Sequence, residues 1–324
     1  MPRYLTAALY KFVELPDFAL LQAPLLALCR DHAIKGTVLL AGEGINGTIA
    51  GHPEDVHAVL GWLRSDPRLV DLEHKESWAD APPFHRMKVR LKAEIVTMHV
   101  PGLRPAVMAG QYVPAQEWNA LIRQDDVVLI DARNDYEVAV GSFQGAVDPQ
   151  TRSFSELPQW VAQQSQPGGL LAAENGKRPR VAMFCTGGIR CEKSTALLRM
   201  QGFDEVYHLQ GGILKYLETV APQDSLWQGQ CFVFDERVSV GHGLVQGDWQ
   251  LCRSCRRPLD AQDMASEHYE DGISCPHCHA SLGPERRQAL AERQRQVMLA
   301  RARGTAHIAA EMPVRQVSTT TGID

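Results

Sequence analysis

Arg180-Val-Ala-Met-Phe-Cys185-Thr-Gly-Gly-Ile-Arg190-Cys-Glu-Lys-Ser-Thr195-Ala-Leu-Leu-Arg-Met200 decides how the rest of the chain is read. Val181 to Phe184 is a short apolar run and predicts a buried strand. Ala196, Leu197 and Met200 recur at helical spacing and predict a helix behind it. Cys185 therefore stands at a strand's C-terminal end, ahead of a loop with two glycines. Glycine lets the backbone fold round the sulfur, and the loop's N–H groups can converge on an anion there. Arg190 adds a fixed positive charge. A cysteine so placed has a depressed pKa and reacts as a thiolate. The competing reading is a buried cysteine acting as a small hydrophobe.

The loop length narrows the chemistry. Protein-tyrosine phosphatases place five residues between cysteine and arginine, whereas here four separate Cys185 from Arg190. The shorter loop resembles that of rhodaneses, whose cysteine carries sulfane sulfur as a persulfide. Cys191 is either a resolving thiol for Cys185 or a core residue. Upstream, Val127–Ile130 reads as a continuous apolar strand ending at Asp131-Ala-Arg133. Alternating strands and helices from Pro114 to Val220 imply a parallel sheet with its site at the strand C-termini. Asp131 and Arg133 fall there; they are either catalytic or, on the favoured reading, an ion pair or caps bracing the loop.

The first hundred residues follow another pattern. Strands are expected at Tyr4–Val13, Gly36–Ala41, Ile45–Ala50, Leu69–His74 and Met87–Val100. Helices are expected from Asp17 to about His32 and from Pro53. This is a βαββαβ, ferredoxin-like α+β order. Arg86, Lys88, Arg90 and Lys92 alternate, so a strand puts all four on one face. Such a row either receives phosphates or is the solvated face of a sheet.

A net charge of −5 argues against a global field for nucleic acid, so RNA contact would use local patches. No apolar run reaches a membrane span. No signal peptide is read at the N-terminus, so a cytoplasmic location is expected. Four of the eight cysteines form Cys252-x-x-Cys255 and Cys275-x-x-Cys278, nineteen residues apart. That spacing predicts a closed, structural zinc site of zinc-ribbon type. His277 and His279 are close enough in sequence to substitute as ligands, but the favoured reading places them at the surface. From Pro284 to about Arg303 a helix carries Arg286, Arg287, Arg293, Arg295, Arg301 and Arg303 against Glu285 and Glu292. It is an RNA contact or a solvated tail helix. Residues 304–324 read as disordered. The expected domains are 1–100 (ferredoxin-like), 101–111 (linker), 112–222 (rhodanese-like), 223–283 (Cys-rich, zinc-binding) and 284–324 (basic helix and tail).

Several runs together carry a family resemblance: Gly42-Glu-Gly-Ile-Asn46, Arg86-Met-Lys-Val-Arg90, Asp131-Ala-Arg133 with Asn134 and Tyr136-Glu137, and Cys185 to Lys193. His208-Leu-Gln-Gly-Gly-Ile213, Phe232-Val-Phe-Asp-Glu-Arg237 and Pro284-Glu-Arg-Arg287 add to it. Over residues 5 to 290 the chain resembles the rhodanese-domain tRNA uridine hydroxylases, which make 5-hydroxyuridine at the wobble position. The family usually carries histidine where this chain has Gly42. The resemblance implies oxygen-dependent hydroxylation of tRNA with Cys185 as active-site residue, molecular oxygen as co-substrate and tRNA as partner. We assign Cys185, Arg190 and Cys191 to catalysis, and Arg86, Lys88, Arg90, Arg286 and Arg287 to RNA. The residues show no organic-cofactor motif and point to no protein partner. A thiolate or persulfide can add to the electrophilic C6 of uridine and make C5 nucleophilic. The alternative function is a sulfurtransferase that carries sulfane sulfur as a Cys185 persulfide.

Overall fold

The computed structural model describes residues 4–304; the tail expected to be disordered lies outside the described residues beyond Gly304. The chain divides into two compact units, one running to Leu251 with Arg256–Ala265, the other made of Cys252–Cys255 and the chain from Ser266.

The first unit begins with β1 (Tyr4–Phe12), α1 (Phe18–Asp31), β2 (Lys35–Ala41), β3 (Gly44–Gly51), α2 (Pro53–Arg64), β4 (His74–Ala79) and β5 (Met87–Leu91). The sheet order is β4-β1-β3-β2-β5, antiparallel except that β5 runs parallel to β2. This is the expected ferredoxin-like arrangement with one strand added at the edge. Alternation sets its two faces. Leu5, Ala7 and Leu9 of β1, with Val38, Leu40, Ile45 and Ile49, pack against Leu25 and Cys29 of α1 and Val56, Val59, Leu60 and Leu63 of α2. Thr6, Ala8, Tyr10, Thr37, Leu39, Asn46 and Thr48 line the opposite face.

Two expected strands are corrected. Leu69–His74 is mostly turns, and β4 starts at His74. There Leu69 and Leu72 are buried as plugs under the helices rather than in a ladder. The strand expected over Met87–Val100 stops at Leu91. Beyond it, the Glu94 carboxylate accepts the N–H groups of Met98 and His99, which replaces sheet pairing with a side-chain-held loop.

Next come α3 (Pro105–Met108), β6 (Gln111–Val113), α4 (Ala115–Ile122), β7 (Val127–Asp131), α5 (Asp135–Val138), β8 (Gly141–Phe143), α6 (Leu157–Gln164), β9 (Arg180–Phe184), α7 (Ile189–Met200), β10 (Val206–Leu209) and α8 (Gly212–Thr219). The parallel sheet is ordered β6-β10-β9-β7. Trp118, Phe143, Phe184, Tyr216 and Trp227 fill one side of it; Leu157, Val161, Leu197 and Leu198 fill the other. The stretch read as a linker holds α3 and the start of β6, and the Gly110 N–H donates to Thr195 Oγ1 at 2.9 Å. Short strands β11 (Trp227–Gly229), β12 (Cys231–Phe232), β13 (Ser239–Val240), β14 (Gln250–Leu251) and β15 (Pro258–Leu259), then α9 (Ala261–Ala265), complete the unit. After β12 the run to Arg237 leaves the strand, and Asp235 and Arg237 pair within a turn.

In the second unit, α10 (Pro284–Ala302) runs beside the two cysteine knuckles. Leu290 is its one buried residue. Arg293 donates to the Arg253 carbonyl at 3.1 Å, Gln294 to Asp271 at 2.7 Å, and Arg287 pairs with Glu270. Polar straps rather than an apolar stripe hold this helix.

Candidate active site

Cys185 follows β9 directly and is fully buried, and the loop behind it enters α7 at Gly188. Gly188 has φ +107, and a Cβ there would stand 2.6 Å from the Tyr10 hydroxyl. Gly212 (φ +68) is equally constrained, since a Cβ would meet the carbonyl oxygens of Cys185 and Thr186 at 2.5 and 2.7 Å. That close approach lets the N–H groups of Ile213 and Leu214 bond those carbonyls and hold the loop from behind. The Gly188 N–H donates to Cys185 Sγ at 3.2 Å. Burial pushes the thiol up. The Cys191 thiol, the Arg190 charge and the N–H groups of Cys191 and Gly188 outweigh it and bring Cys185 down to about 6. Cys185 is thus a thiolate at neutral pH. Cys191 is as deeply buried; burial and its bond to Cys185 push its own thiol well up.

Arg190 does not fork onto the sulfur. Its two terminal nitrogens clamp Glu137 at 2.6 and 2.7 Å, and one also reaches Thr186 Oγ1 at 3.2 Å. Burial would push Glu137 up, but Arg190 holds it below the usual carboxylate range. Glu137 is fixed in turn: it closes a capping box with Asn134 on α5, and its carbonyl accepts from Arg133 at 3.2 Å. Arg133 pairs with Asp131 at 2.8 and 2.6 Å, both fully buried. The run from Asp131 to Glu137 is therefore a brace that fixes Arg190, as the sequence reading expected for Asp131 and Arg133. Glu137 was named there only within a family-like run and given no role. Its signal was the capping-box spacing from Asn134.

Cys185 is among the residues lining a cavity of about 580 Å³ shared with the open face of the first sheet. Tyr10 from β1 and Lys75 from β4 reach the loop. Tyr10 donates to Glu192 at 2.7 Å and Lys75 to the Gly187 carbonyl at 2.8 Å. Lys193, 2 % exposed, bonds Glu43 at 2.8 Å, Glu94 at 2.5 Å and the Val96 carbonyl at 2.9 Å. The runs Gly42–Asn46 and Cys185–Lys193, far apart in sequence, meet through this ion pair. Phe234 is exposed over Arg190, ring to guanidinium 6.0 Å, and Arg237 donates to Ser77 at 2.7 Å.

The basic row lies on edge strand β5. Lys88 and Arg90 register with Thr37 and Leu39 and so share the face that walls the cavity. Arg86, Arg90 and Lys92 are exposed; Lys92 lines the cavity. Lys88, half-buried, is held below the usual lysine range by burial and by the charges of Arg86, Arg90 and Arg256.

In the second unit, Cys252, Cys255, Cys275 and Cys278 hold their sulfurs within 4.8 Å of one another. Pair distances are 3.6 Å (Cys255–Cys275), 3.7 Å (Cys275–Cys278) and 4.0 Å (Cys252–Cys278). Four sulfurs at zinc-ligand distance stand about 3.8 Å apart in a tetrahedron, so the cluster fits a four-thiolate metal site. His279 instead stacks on His268, centroids 4.4 Å apart. Arg286 and Arg287 lie on the first turns of α10, Arg286 exposed. Among the described residues no helix is long and apolar enough to cross a membrane.

The UPF0176 acylphosphatase like domain matches residues 4–95, and the Rhodanese-like domain matches residues 114–219. A tRNA uridine(34) hydroxylase of Albidiferax ferrireducens is 62% identical over 99% of this chain and 100% of its own length. The corresponding proteins of Acaryochloris marina (59%, 96% of this chain, 98% of the relative) and Teredinibacter turnerae (53%, 99% and 98%) agree. With identity at that level over nearly its whole length, the chain belongs to the tRNA uridine(34) hydroxylase family.

Proposed function

We propose that this chain hydroxylates C5 of the wobble uridine of tRNA, with molecular oxygen as co-substrate and Cys185 as the reacting group. The observation that carries this reading is a thiolate-stabilising loop opening onto a base-sized cavity, in a chain nearly colinear with proteins of that name. Cys185 Sγ adds to C6 of the uracil and makes C5 nucleophilic. Arg190 and the Cys191 thiol keep Cys185 ionised, the one by charge and the other by a hydrogen bond; Cys191, the less acidic thiol, serves as donor rather than nucleophile. Arg86, Lys88 and Arg90 receive phosphates leading to the cavity, since like charges crowded on one face are relieved by an anion. Arg286 and Arg287 add a second basic contact. The four-cysteine cluster holds structural zinc, and the enzyme works in the cytoplasm. A sulfurtransferase role is less well supported: both terminal nitrogens of Arg190 are turned to Glu137 rather than to an incoming anion such as thiosulfate.

Complementation tests this reading. In a strain that makes no 5-hydroxyuridine, the wild-type gene is expected to restore 5-hydroxyuridine-derived nucleosides in tRNA during aerobic growth only, and Cys185→Ser to restore none. Full restoration by Cys185→Ser would refute it.

A further inference from the structure

Glu192 has no part in the brace described above. It is only 8 % exposed and sits on the first turn of α7, immediately behind the reactive loop. Four groups face it: the Tyr10 hydroxyl from β1 at 2.7 Å, the Tyr112 hydroxyl from β6, Lys75 from β4, and Cys185 from its own loop. Tyr10 also lines the cavity, with its hydroxyl against Gly188, whose N–H holds the sulfur. A buried carboxyl thus reaches the cavity through one phenol, beside the atom that attacks the base. We infer that Tyr10 and Glu192 form the acid–base pair that moves the proton at C5 of the target uridine. This rests on the hydroxylase reading.

The step balances without an oxidant. Cys185 Sγ bonds to C6 and the C5–C6 π pair moves onto C5. C5 then takes a proton from Tyr10, which is reprotonated by the Glu192 carboxyl. The original C5 hydrogen, now on the face away from Tyr10, leaves as a proton to a solvent water, and solvent returns a proton to Glu192; the C5 electron pair re-forms the double bond and Sγ leaves. The net result is exchange of the C5 hydrogen with water. In the full reaction the same pair removes the C5 proton once C5 bears oxygen. Burial and the nearby Cys185 charge hold Glu192 above the usual carboxylate range, against its tyrosine hydrogen bonds, which suits a group that both gives and takes a proton. Tyr10 is the catalytic residue; Glu192 acts through it.

The test uses the purified full chain, oxygen-free, with tRNA carrying tritium at C5 of uridine 34, and counts tritium released to water. The wild type is expected to release it, and Glu192→Gln and Tyr10→Phe to do so about 100-fold more slowly. In Glu192→Gln the side-chain amide oxygen still accepts the Tyr10 hydrogen bond, so fold and loop are kept; Cys185 alkylation in both variants should stay within about two-fold of wild type. Wild-type release should fall as pH rises through the Glu192 ionisation. Tritium release by Glu192→Gln at the wild-type rate overturns the inference, as does loss of Cys185 alkylation in both variants. If the wild type restores 5-hydroxyuridine in cells yet releases no tritium, the relay falls and the hydroxylase reading stands. If it does neither, both fall.

Discussion

Two cysteine centres in one chain surround their sulfurs by different means. Cys185 is ionised by the fold itself: backbone N–H groups, a neighbouring thiol and an arginine fixed by Glu137, all from the packed first unit. The cluster of Cys252, Cys255, Cys275 and Cys278 sits where few apolar residues are buried, Ile273 and Leu290 among them. The first centre has protein donors and lines a cavity. The second holds four sulfurs within 4.8 Å of one another, a set compatible with a metal site.

Removing the metal should break that comparison most visibly. Structural zinc is worth about 10–16 kcal/mol in small sites, more than the second unit's few buried side chains supply. Cys275→Ser, or exhaustive chelation, should therefore unfold the second unit, α10 included, while Cys185 in the first unit keeps its alkylation rate. Amide hydrogen exchange resolved by segment reads both. Elemental analysis of the native protein should find one zinc per chain, and its absence, with four freely titrating thiols, would end the distinction.

The two centres also differ in how far the sequence discloses them. The cluster is legible because its ligands come as two local pairs whose spacing alone is diagnostic. The strand and loop around Cys185 were legible for the same reason, since Val181–Phe184, the glycines and Arg190 act within a few residues of one another. What surrounds the loop was not. Tyr10 and Glu192 are 182 residues apart, Glu43 and Lys193 are 150, and Glu137 and Arg190 are 53. Such pairs are set by the docking of one sheet face against a loop, which no local pattern records. Even the run of charge in Arg190, Glu192 and Lys193 misleads: on a helix it suggests a solvated face, yet all three are buried. The end of β5 was misjudged because Val96, Met98 and Val100 alternate like a strand but pack into the rhodanese-type core.

A smaller effect sharpens the account of Cys185. If the Arg190 charge lowers it, iodoacetamide alkylation should rise with pH to a midpoint of about 6 and be flat above neutrality. Arg190→Ala should move the midpoint up by about two units and so slow alkylation at pH 7 roughly ten-fold if the thiolate alone reacts. Because that variant strands the Glu137 carboxylate, the double variant Arg190→Ala with Glu137→Gln should show the same profile with less loss of stability. The sign for stability follows from the lowered pKa: the Cys185 contribution is complete above the ordinary thiol value of 9.0, falls as pH drops, and is gone below about 6. An unchanged midpoint in both variants would remove the arginine from the argument.

The smallest expected effect concerns Lys88. It sits between Arg86 and Arg90 on an edge strand, on the face that continues into the cavity wall, and burial and its basic neighbours all disfavour its charge. A residue kept charged against such neighbours gains nothing for the free fold. Lys88→Ala should therefore leave the melting temperature unchanged or slightly raised, as surface substitutions stay within about 0.5 kcal/mol. If tRNA phosphates occupy this face, the same substitution should weaken tRNA binding a few-fold. It should also flatten the slope of log K against log salt by about 0.7–0.9, the share of one phosphate contact. A row that is only a solvated sheet face predicts the same small gain in stability but no change in the salt slope, so the slope, measured by filter binding from low to physiological salt, separates the two.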